Sequence, residues 1–250
     1  MSHIVEASSS QRSPSSGALP RLQLELDLPA ECRVAALPID DLSGVLAALD
    51  GPDSVDELPG TFAMKRRAEY LAGRHAAALA LRELGLPTHV ERSANGLPVW
   101  PSGAVGSISH GGGLACAVCA RAEHWRSLGV DVERVLHDAE ARELGPSIAH
   151  PDELFLLRSS LPHVRSGQRL SVLFSAKESF FKCLFPLTGT FLEFSDARLV
   201  SVGMTSRQRG VLAIRLERSC GPDLPSGRTL QARFALGARR VESAVLLGMG

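Results

Sequence analysis

The sequence predicts an α+β fold in which two similar halves follow one another along the chain. A long helical pattern at residues 61–85 precedes several short apolar runs, and a second helical pattern at about 167–185 precedes four more. Short apolar runs bounded by glycine and polar turns are typical of strands. The order helix, strands, helix, strands therefore indicates an α+β chain with a seam near residues 121–127, although no repeat of residues accompanies it.

The first long helix is supported by its apolar period and its boundaries. Apolar side chains recur at close to 3.6 residues over 61–85, Thr61 is suited to cap the start, and Gly85 is a stop signal. Arg66 and Arg74 are eight residues apart, a little over two turns, so they lie near one face. Taken alone, these arginines favour a solvated basic face over a ligand site.

The strands are predicted from apolar runs that follow each helix. In the first half these runs follow a turn-rich segment, and a mixed helix-and-loop region at residues 136–158 precedes the second helix. Because proline lacks an N–H donor, the second helix is expected to end before Pro186. The predicted strands are residues 104–110, 114–120, 127–133, 191–202, 211–217, 230–236 and 242–248.

Composition limits the class of protein and its partners. The chain has 250 residues, and Lys+Arg and Asp+Glu are both 27, so bulk charge does not direct it onto nucleic acid or a membrane. No apolar run approaches the roughly 18 residues of a membrane helix. The Ser- and Pro-rich residues 1–20 predict a disordered leader, followed by an N-terminal half (21–125) and a C-terminal half (126–250). A cytoplasmic protein is expected.

The five cysteines do not indicate a disulfide framework. Cys116 and Cys119 form a CxxC pair, but no second pair or nearby histidine pair completes a zinc site. Residues three apart in a strand also point to opposite faces. Two small apolar residues in a buried strand are therefore the favoured interpretation.

Two acids in the segment GVDVE could carry chemistry. In a strand, Asp131 and Glu133 share one face, while Val130 and Val132 share the other. Two neighbouring carboxylates repel unless a cation lies between them, and Mg²⁺ prefers oxygen ligands. An exposed strand with valines inward and acids outward explains this segment equally well, so both interpretations stay open here.

Two further segments carry groups suited to phosphate chemistry. In FSAKESFFK, Glu178 offers a third carboxylate, and Lys177 and Lys182 could flank a common cleft. In GSISH, Ser109 and His110 end a strand and precede three glycines, which would let backbone approach a ligand closely. Carboxylates for a metal and lysines for phosphate charge are ingredients of phosphoryl-group transfer.

The order of these segments resembles that of a known enzyme family. The chain is similar to the Sfp/EntD-type 4′-phosphopantetheinyl transferases, and most similar to the enterobactin synthase component D branch. The combination of segments is far more specific than any one of them. The matching segments are KRRAEYLAGR (65–74), LPVWP (97–101), GSISH (106–110), GVDVE (129–133), FSAKESFFK (174–182) and PLTG (186–189).

The resemblance implies a fold, a reaction and partners. The fold is a pseudo-two-fold pair of similar α/β halves in one chain, with the site between them. The reaction is Mg²⁺-dependent transfer of the 4′-phosphopantetheine arm of coenzyme A, the co-substrate, to a serine of an apo acyl or peptidyl carrier protein, releasing adenosine 3′,5′-bisphosphate. A siderophore or other peptide-synthetase or polyketide pathway is expected, or a broad range that includes the fatty-acid acyl carrier. A monomer is expected.

The resemblance also implies roles for particular residues. Glu178 would serve as general base, metal ligand or both, and Lys182 would stabilise or protonate the leaving oxygen. The implied metal ligands are Asp131, Glu133 and Glu178. The implied coenzyme A-binding residues are Arg66, Arg74, Ser109, His110, Lys177 and Lys182, with Arg66, Arg74 and His110 near the 3′-phosphate and Ser109 closing the nucleotide pocket.

Two other functions stay open. A degenerate member would bind coenzyme A or a carrier without catalysis, although all the expected acids, both lysines and His110 are present. An unrelated metal-dependent phosphohydrolase would release free phosphopantetheine without a carrier.

Overall fold

A computed structural model describes residues 19–49 and 63–249. The α-helices of this part are α1 (Leu42–Leu49), α2 (Met64–Glu83), α3 (Asp138–Ile148), α4 (Pro151–Ser160) and α5 (Ser166–Thr188). Its strands are β1 (Arg33–Pro38), β2 (Glu91–Arg92), β3 (Pro98–Val99), β4 (Ala104–Gly111), β5 (Leu114–Arg121), β6 (Trp125–Arg134), β7 (Ala197–Met204), β8 (Arg209–Leu216), β9 (Thr229–Leu236) and β10 (Arg240–Gly248). A short 3₁₀ turn covers Phe194–Asp196.

The predicted α+β class is confirmed. One antiparallel sheet has the strand order β1-β5-β4, and a second has the order β6-β10-β9-β8-β7. Helix α2 packs small residues such as Ala76 and Ala80 against Ala117 of β5. Helix α5 packs Phe180 within the larger core, which also contains Val245 of β10. Each sheet thus has one long helix against it, as expected for a pseudo-two-fold pair.

Strands β4 and β6 join the two sheets. The Ser107 hydroxyl accepts a hydrogen bond from the Val130 amide at 3.0 Å, and the Ser109 hydroxyl accepts one from the Val132 amide at 3.2 Å. Val130 and Val132 are fully buried in a core that they share with β5. The predicted orientation of these valines into a core is confirmed.

The interpretation of the CxxC pair as buried strand residues is also confirmed. Cys116 and Cys119 are completely buried, and they belong to different cores on opposite faces of β5. All five cysteines are free. Burial raises the pKa of the Cys116 thiol to about 12, so this sulfur stays protonated at neutral pH and is a poor metal ligand.

The helix boundaries agree only in part with prediction. Helix α2 begins at Met64 and ends at Glu83, and Gly85 follows with a left-handed φ of 66°; Thr61 lies outside the described residues. The expectation that the second helix ends before Pro186 is wrong, because α5 continues to Thr188. Proline this close to a C-terminus removes a single backbone hydrogen bond, and packing of the long helix offsets that loss.

Strand β1 and helix α1 are elements that the sequence reasoning did not find. Strand β1 pairs antiparallel with β5, and Ala35, Ala36 and Leu37 are fully buried. Apart from residues 19 and 20, the predicted leader lies outside the described residues. Within the described ranges, no helix combines the length and apolar character needed to span a membrane.

Candidate active site

The candidate site lies where β4, β6 and α5 meet. Strand β6 approaches α5 so closely at Gly129 that an added Cβ would lie 2.5 Å from the Cys183 amide nitrogen, and closer still to the Ser179 carbonyl oxygen. Only glycine permits this approach. It places Asp131, two residues further along β6, against the side of α5 that carries Lys182.

Asp131 forms the centre of a buried polar network. The residue is 1% exposed, and its Oδ1 atom accepts hydrogen bonds from Lys182 Nζ at 2.6 Å and from the Ser109 hydroxyl at 3.0 Å. Lys182 Nζ also donates to the Ser109 hydroxyl at 3.0 Å. This burial excludes the exposed, acid-outward strand that the sequence left open.

The second oxygen of Asp131 is an exception to this pairing. Asp131 Oδ2 is buried and has no hydrogen-bond partner within the described part of the chain. Leaving a buried carboxylate oxygen unpaired is costly, so this atom is suited to bind a cation or to accept a hydrogen bond.

Glu133 and Glu178 interact electrostatically with Asp131 and Lys182. Burial raises the pKa of Glu133 to about 7, and the charges of Asp131 and Glu178 add to the rise while Lys182 opposes it. Burial also raises the pKa of Glu178, against the effect of Lys182 and with a contribution from Asp131. Burial alone would lower the pKa of Lys182, but the charge and hydrogen bond of Asp131, together with the charge of Glu178, outweigh it and the pKa is raised. The cluster therefore carries more acid than its lysine neutralises.

These acids suit a divalent cation. Among the described residues, no three His, Cys, Asp or Glu side chains are already arranged as a metal centre. Asp131 nevertheless offers an unpaired buried oxygen, and the pKa of Glu133 is raised by burial and by Asp131 in spite of the positive charge of Lys182. Oxygen-only donors of this kind fit Mg²⁺.

Lys177 does not join the cluster, which corrects the expectation that it flanks the same cleft as Lys182. It is 2% exposed, and its Nζ atom donates to Glu153 and to two backbone carbonyls. Residues five apart on a helix differ in direction by about 140°, so two such lysines cannot both face one cleft.

Ser109 also lies elsewhere than expected. It was expected to close the nucleotide pocket, but it is 3% exposed and its hydroxyl binds Asp131, Lys182 and the Val132 amide. The Ser109 hydroxyl donates a hydrogen bond to Asp131 and accepts one from Lys182, so it holds the two members of the ion pair together.

The three glycines after His110 form a tight turn and pack against β6, whereas they were expected to let the backbone approach a ligand closely. Gly112 and Gly113 have positive φ values of 56° and 79°, as a tight turn between β4 and β5 requires. An added Cβ at Gly111 would collide with the Val132 carbonyl oxygen. These residues hold the β4–β5 hairpin against β6.

A basic pocket of about 320 Å³ lies at the N-terminal side of the cleft. It brings together Arg66, Arg74 and His110, which the family resemblance had placed near one phosphate. Arg74 donates to the Val90 and Glu91 carbonyl oxygens, both at 2.9 Å, and its guanidinium lies 5.1 Å from the centre of the Tyr70 ring. These contacts hold the guanidinium in one orientation at the pocket wall.

His110 has an environment that favours its neutral form. Burial lowers its pKa, the Glu69 carboxylate opposes this effect, and Lys182 adds to it. Glu69 Oε2 lies 3.7 Å from His110 Nδ1. His110 lines the basic pocket, and its chain neighbour Ser109 binds Asp131 and Lys182, so this short segment connects the pocket with the ion pair.

Sequence reasoning missed some residues of this pocket. Arg92 of β2 and Asn95 of the turn-rich segment also line it. The available signal was the Asn95-Gly96 pair, since Asn-Gly favours a tight turn and Gly96 has a φ of 82°.

Two larger cavities meet at Glu178. One, of about 490 Å³, lies between the halves and includes Trp100 and Phe185. The other, of about 450 Å³, lies in the C-terminal half and includes Phe191 and Phe194. Glu178 and Phe181 line both cavities, so this acid is accessible to molecules that arrive from either side.

Paired antiparallel sheets, a basic pocket and an acid–lysine cluster together define an enzyme built for transfer of a phosphate-linked group. Family models agree with this class. Residues 61–120 match the 4′-phosphopantetheinyl transferase N-terminal domain, and residues 127–220 match the 4′-phosphopantetheinyl transferase superfamily.

The similar proteins support the same family. The protein is 35% identical to 4′-phosphopantetheinyl transferase PptT of Mycobacterium tuberculosis, over 73% of this chain and 80% of that protein. It is 40% identical to enterobactin synthase component D of Salmonella typhimurium and 36% identical to 4′-phosphopantetheinyl transferase Npt of Nocardia iowensis. These matches cover 56% and 54% of this chain and 57% and 59% of the relatives. The chain belongs to the 4′-phosphopantetheinyl transferase superfamily, and the predicted family is confirmed.

Proposed function

We propose that the protein transfers the 4′-phosphopantetheine arm of coenzyme A to a serine of an apo carrier protein in a Mg²⁺-dependent reaction. Adenosine 3′,5′-bisphosphate is the second product. The observation that carries the proposal is the Asp131–Lys182 pair, with one carboxylate oxygen bound to the lysine at 2.6 Å and the other buried and unpaired. Such a pair offers a cation position and a phosphate-binding ammonium side by side.

The basic pocket suits the nucleotide end of coenzyme A. Arg66, Arg74 and His110 provide donors for the 3′-phosphate, and arginine binds phosphate through paired N–H groups. The charges of Lys182 and Asp131 both act on His110, so the pyrophosphate would extend from this pocket towards the acid cluster. The pantetheine arm then continues into the apolar cavities beside Glu178.

Asp131, Glu133 and Glu178 are the proposed ligands of Mg²⁺. The bound cation supplies neutralising charge for the pyrophosphate. Its positive field would also lower the raised pKa values of Glu133 and Glu178. The unpaired Asp131 Oδ2 supports this assignment.

Glu178 and Lys182 are the proposed catalytic residues. Glu178 lines both cavities, so its carboxylate is placed to accept the proton of the carrier serine hydroxyl. The serine oxygen forms a bond to the phosphorus that carries pantetheine, and the bond from that phosphorus to the bridging oxygen breaks. Lys182 stabilises the negative charge on the leaving bisphosphate.

The proposed partners are apo acyl or peptidyl carrier proteins of a siderophore pathway or of another peptide-synthetase or polyketide pathway. The relatives differ in what their names say about the pathway. One is named as an enterobactin synthase component, which supports a siderophore pathway, and the other simply as a transferase. A broad range that includes the fatty-acid acyl carrier is the alternative. We also propose a monomer, because both halves of the cleft come from one chain. The proposed location is the cytoplasm.

Intact-mass measurement of an apo carrier tests this function. With the protein, coenzyme A and Mg²⁺, the carrier should gain one phosphopantetheine arm, and a carrier whose serine is replaced by alanine should gain none. A panel of carriers separates a dedicated enzyme from a broad one. Release of free phosphopantetheine without any carrier would instead identify a hydrolase, and binding of coenzyme A without turnover would identify a non-catalytic member.

A further inference from the structure

The buried pair of Lys177 and Glu153 is a cluster that the proposed chemistry does not use. Lys177 Nζ donates to Glu153 Oε2 at 3.0 Å, and it lies 2.9 Å from Oε1 of the same carboxylate. Both side chains are about 2% exposed or less. A buried ion pair is costly unless its remaining hydrogen-bonding groups are satisfied, so the partners of each member are informative.

The partners of this pair come from several separate elements. Lys177 Nζ also donates to the carbonyl oxygens of Ile148, at the end of α3, and of Phe194, in the 3₁₀ turn, both at 2.9 Å. Glu153 accepts from the His150 amide at 2.8 Å and from the Leu199 amide of β7 at 2.7 Å. The pair therefore ties α3, α4, α5, the 3₁₀ turn and β7 to one point.

The Lys177–Glu153 pair lies next to Glu178, the proposed base. Lys177 directly precedes Glu178 on α5, and consecutive helical residues differ in direction by about 100°. Fixing Lys177 in the interior therefore fixes how far Glu178 turns towards the cleft. Phe194, whose carbonyl Lys177 holds, lines the 450 Å³ cavity that Glu178 also lines.

We infer that Lys177 and Glu153 are positioning residues that set the orientation of Glu178 and the wall of the adjoining cavity, and that Lys177 does not bind the phosphates of coenzyme A. This inference rests on the proposed function for the role of Glu178. It differs from that function in giving a kinetic role to Glu153, which lies outside both cavities that meet at Glu178.

Four variants of the full chain test the inference. Lys177→Met and Glu153→Gln each remove one charge, and the double variant removes both while nearly conserving volume. Lys182→Met is the matched control, because it removes the other α5 lysine, which faces the acid cluster. For each variant, kcat and the KM for coenzyme A are measured with an apo carrier, and thermal unfolding is recorded.

The inference predicts a specific pattern. Glu153→Gln and Lys177→Met should each lower kcat by about tenfold or more while the KM for coenzyme A changes by less than about threefold. Lys182→Met should instead raise that KM as well as lower kcat. The melting temperature should fall furthest in Lys177→Met, which leaves a buried carboxylate without its cation, and should recover in the double variant.

Two outcomes would overturn the inference. One is a large rise in the KM for coenzyme A in Lys177→Met together with normal kinetics in Glu153→Gln, the pattern of a phosphate ligand. The other is a double variant that is no more stable than Lys177→Met. If Lys177→Met does not fold, Glu153→Gln and the double variant still decide the matter. Absence of transfer by the unmodified protein would count against the proposed function, whereas the stability comparison would still test the pairing.

Discussion

Replacement of Gly129 by alanine should disable the protein although no functional group is removed. Gly129 lies where β6 meets α5, and its added Cβ would lie 2.5 Å from the Cys183 amide nitrogen and 3.0 Å from the Lys182 carbonyl carbon. Ordinary contacts begin near 3.4 Å. The Ser179 carbonyl oxygen would be closer still, so strand and helix must separate locally by more than about 1 Å, because backbone on both sides cannot move aside as a side chain would.

The size of the effect follows from the Asp131–Lys182 pair. At 2.6 Å the two atoms are hydrogen-bonded, and a separation greater by about 1 Å exceeds the range of a hydrogen bond. A hydrogen bond to a charged group contributes about 1.5–3 kcal/mol. Its loss corresponds to a decrease in kcat/KM of roughly 10- to 150-fold. Overpacking should also lower the free energy of unfolding by about 1–3 kcal/mol.

Transfer to an apo carrier, followed by intact mass, and thermal unfolding are the assays. Gly145→Ala is the matched control, because Gly145 lies within α3 and its added Cβ would only reach 3.9 Å from Leu154. This control should keep normal turnover. Its stability should change little, because the preference of alanine for helix is offset by contact of the new Cβ with the ring of Pro146. Normal activity and stability in Gly129→Ala would refute the reasoning that close packing of β6 on α5 aligns the site.

Three further predictions concern the chemistry. Asp131→Asn should lower turnover by at least about 100-fold at saturating Mg²⁺, since it removes the partner of Lys182 and a proposed ligand, and near-normal carrier modification by intact mass would contradict this. The affinity for Mg²⁺, measured by calorimetry, should be about tenfold higher at pH 8 than at pH 6, because Glu133, with a pKa of about 7, is mostly protonated at the lower pH and must lose its proton to bind the cation. A pH-independent affinity would exclude Glu133 as a ligand. In steady-state kinetics, His110→Ala should raise the KM for coenzyme A about tenfold with little change in kcat. A lower kcat with an unchanged KM would instead place His110 at the reacting phosphate.

Local patterns predicted the parts of the site that are built from short segments. Strand alternation put Val130 and Val132 into a core and left Asp131 and Glu133 together on the other face, and both statements depend on one strand alone. The spacing of Arg66 and Arg74 likewise required one helix only. Their assembly into one pocket with His110 was expected from family resemblance, since no local rule joins a helix to a distant strand end.

Parts that depend on distant segments could not be predicted. The sequence around Lys177 does not reveal that Glu153, Ile148 and Phe194 surround its ammonium group, so a phosphate-binding role was the natural expectation. The hydroxyl of Ser109 is similarly committed to residues of β6 and α5. In both cases, tertiary contacts determine whether a polar side chain faces a ligand or the interior.

The C-terminal end of α5 shows that secondary structure also depends on tertiary contacts. Proline at position 186 favoured an early end, yet the helix continues to Thr188 and ends at Gly189, which has a left-handed φ of 61°. The glycine signal was present in the sequence and was the correct one. Local propensity for proline was outweighed by burial of the apolar face of the helix, which includes Phe180 and Leu184.

A crystal structure with coenzyme A and Mn²⁺, located by its anomalous scattering, tests the central claim most directly. The account predicts the cation bound to Asp131 Oδ2 and to Glu133, the pyrophosphate beside Lys182, the 3′-phosphate beside Arg74 and His110, and Lys177 still bonded to Glu153. A cation bound away from Asp131, or a phosphate in contact with Lys177, would contradict it.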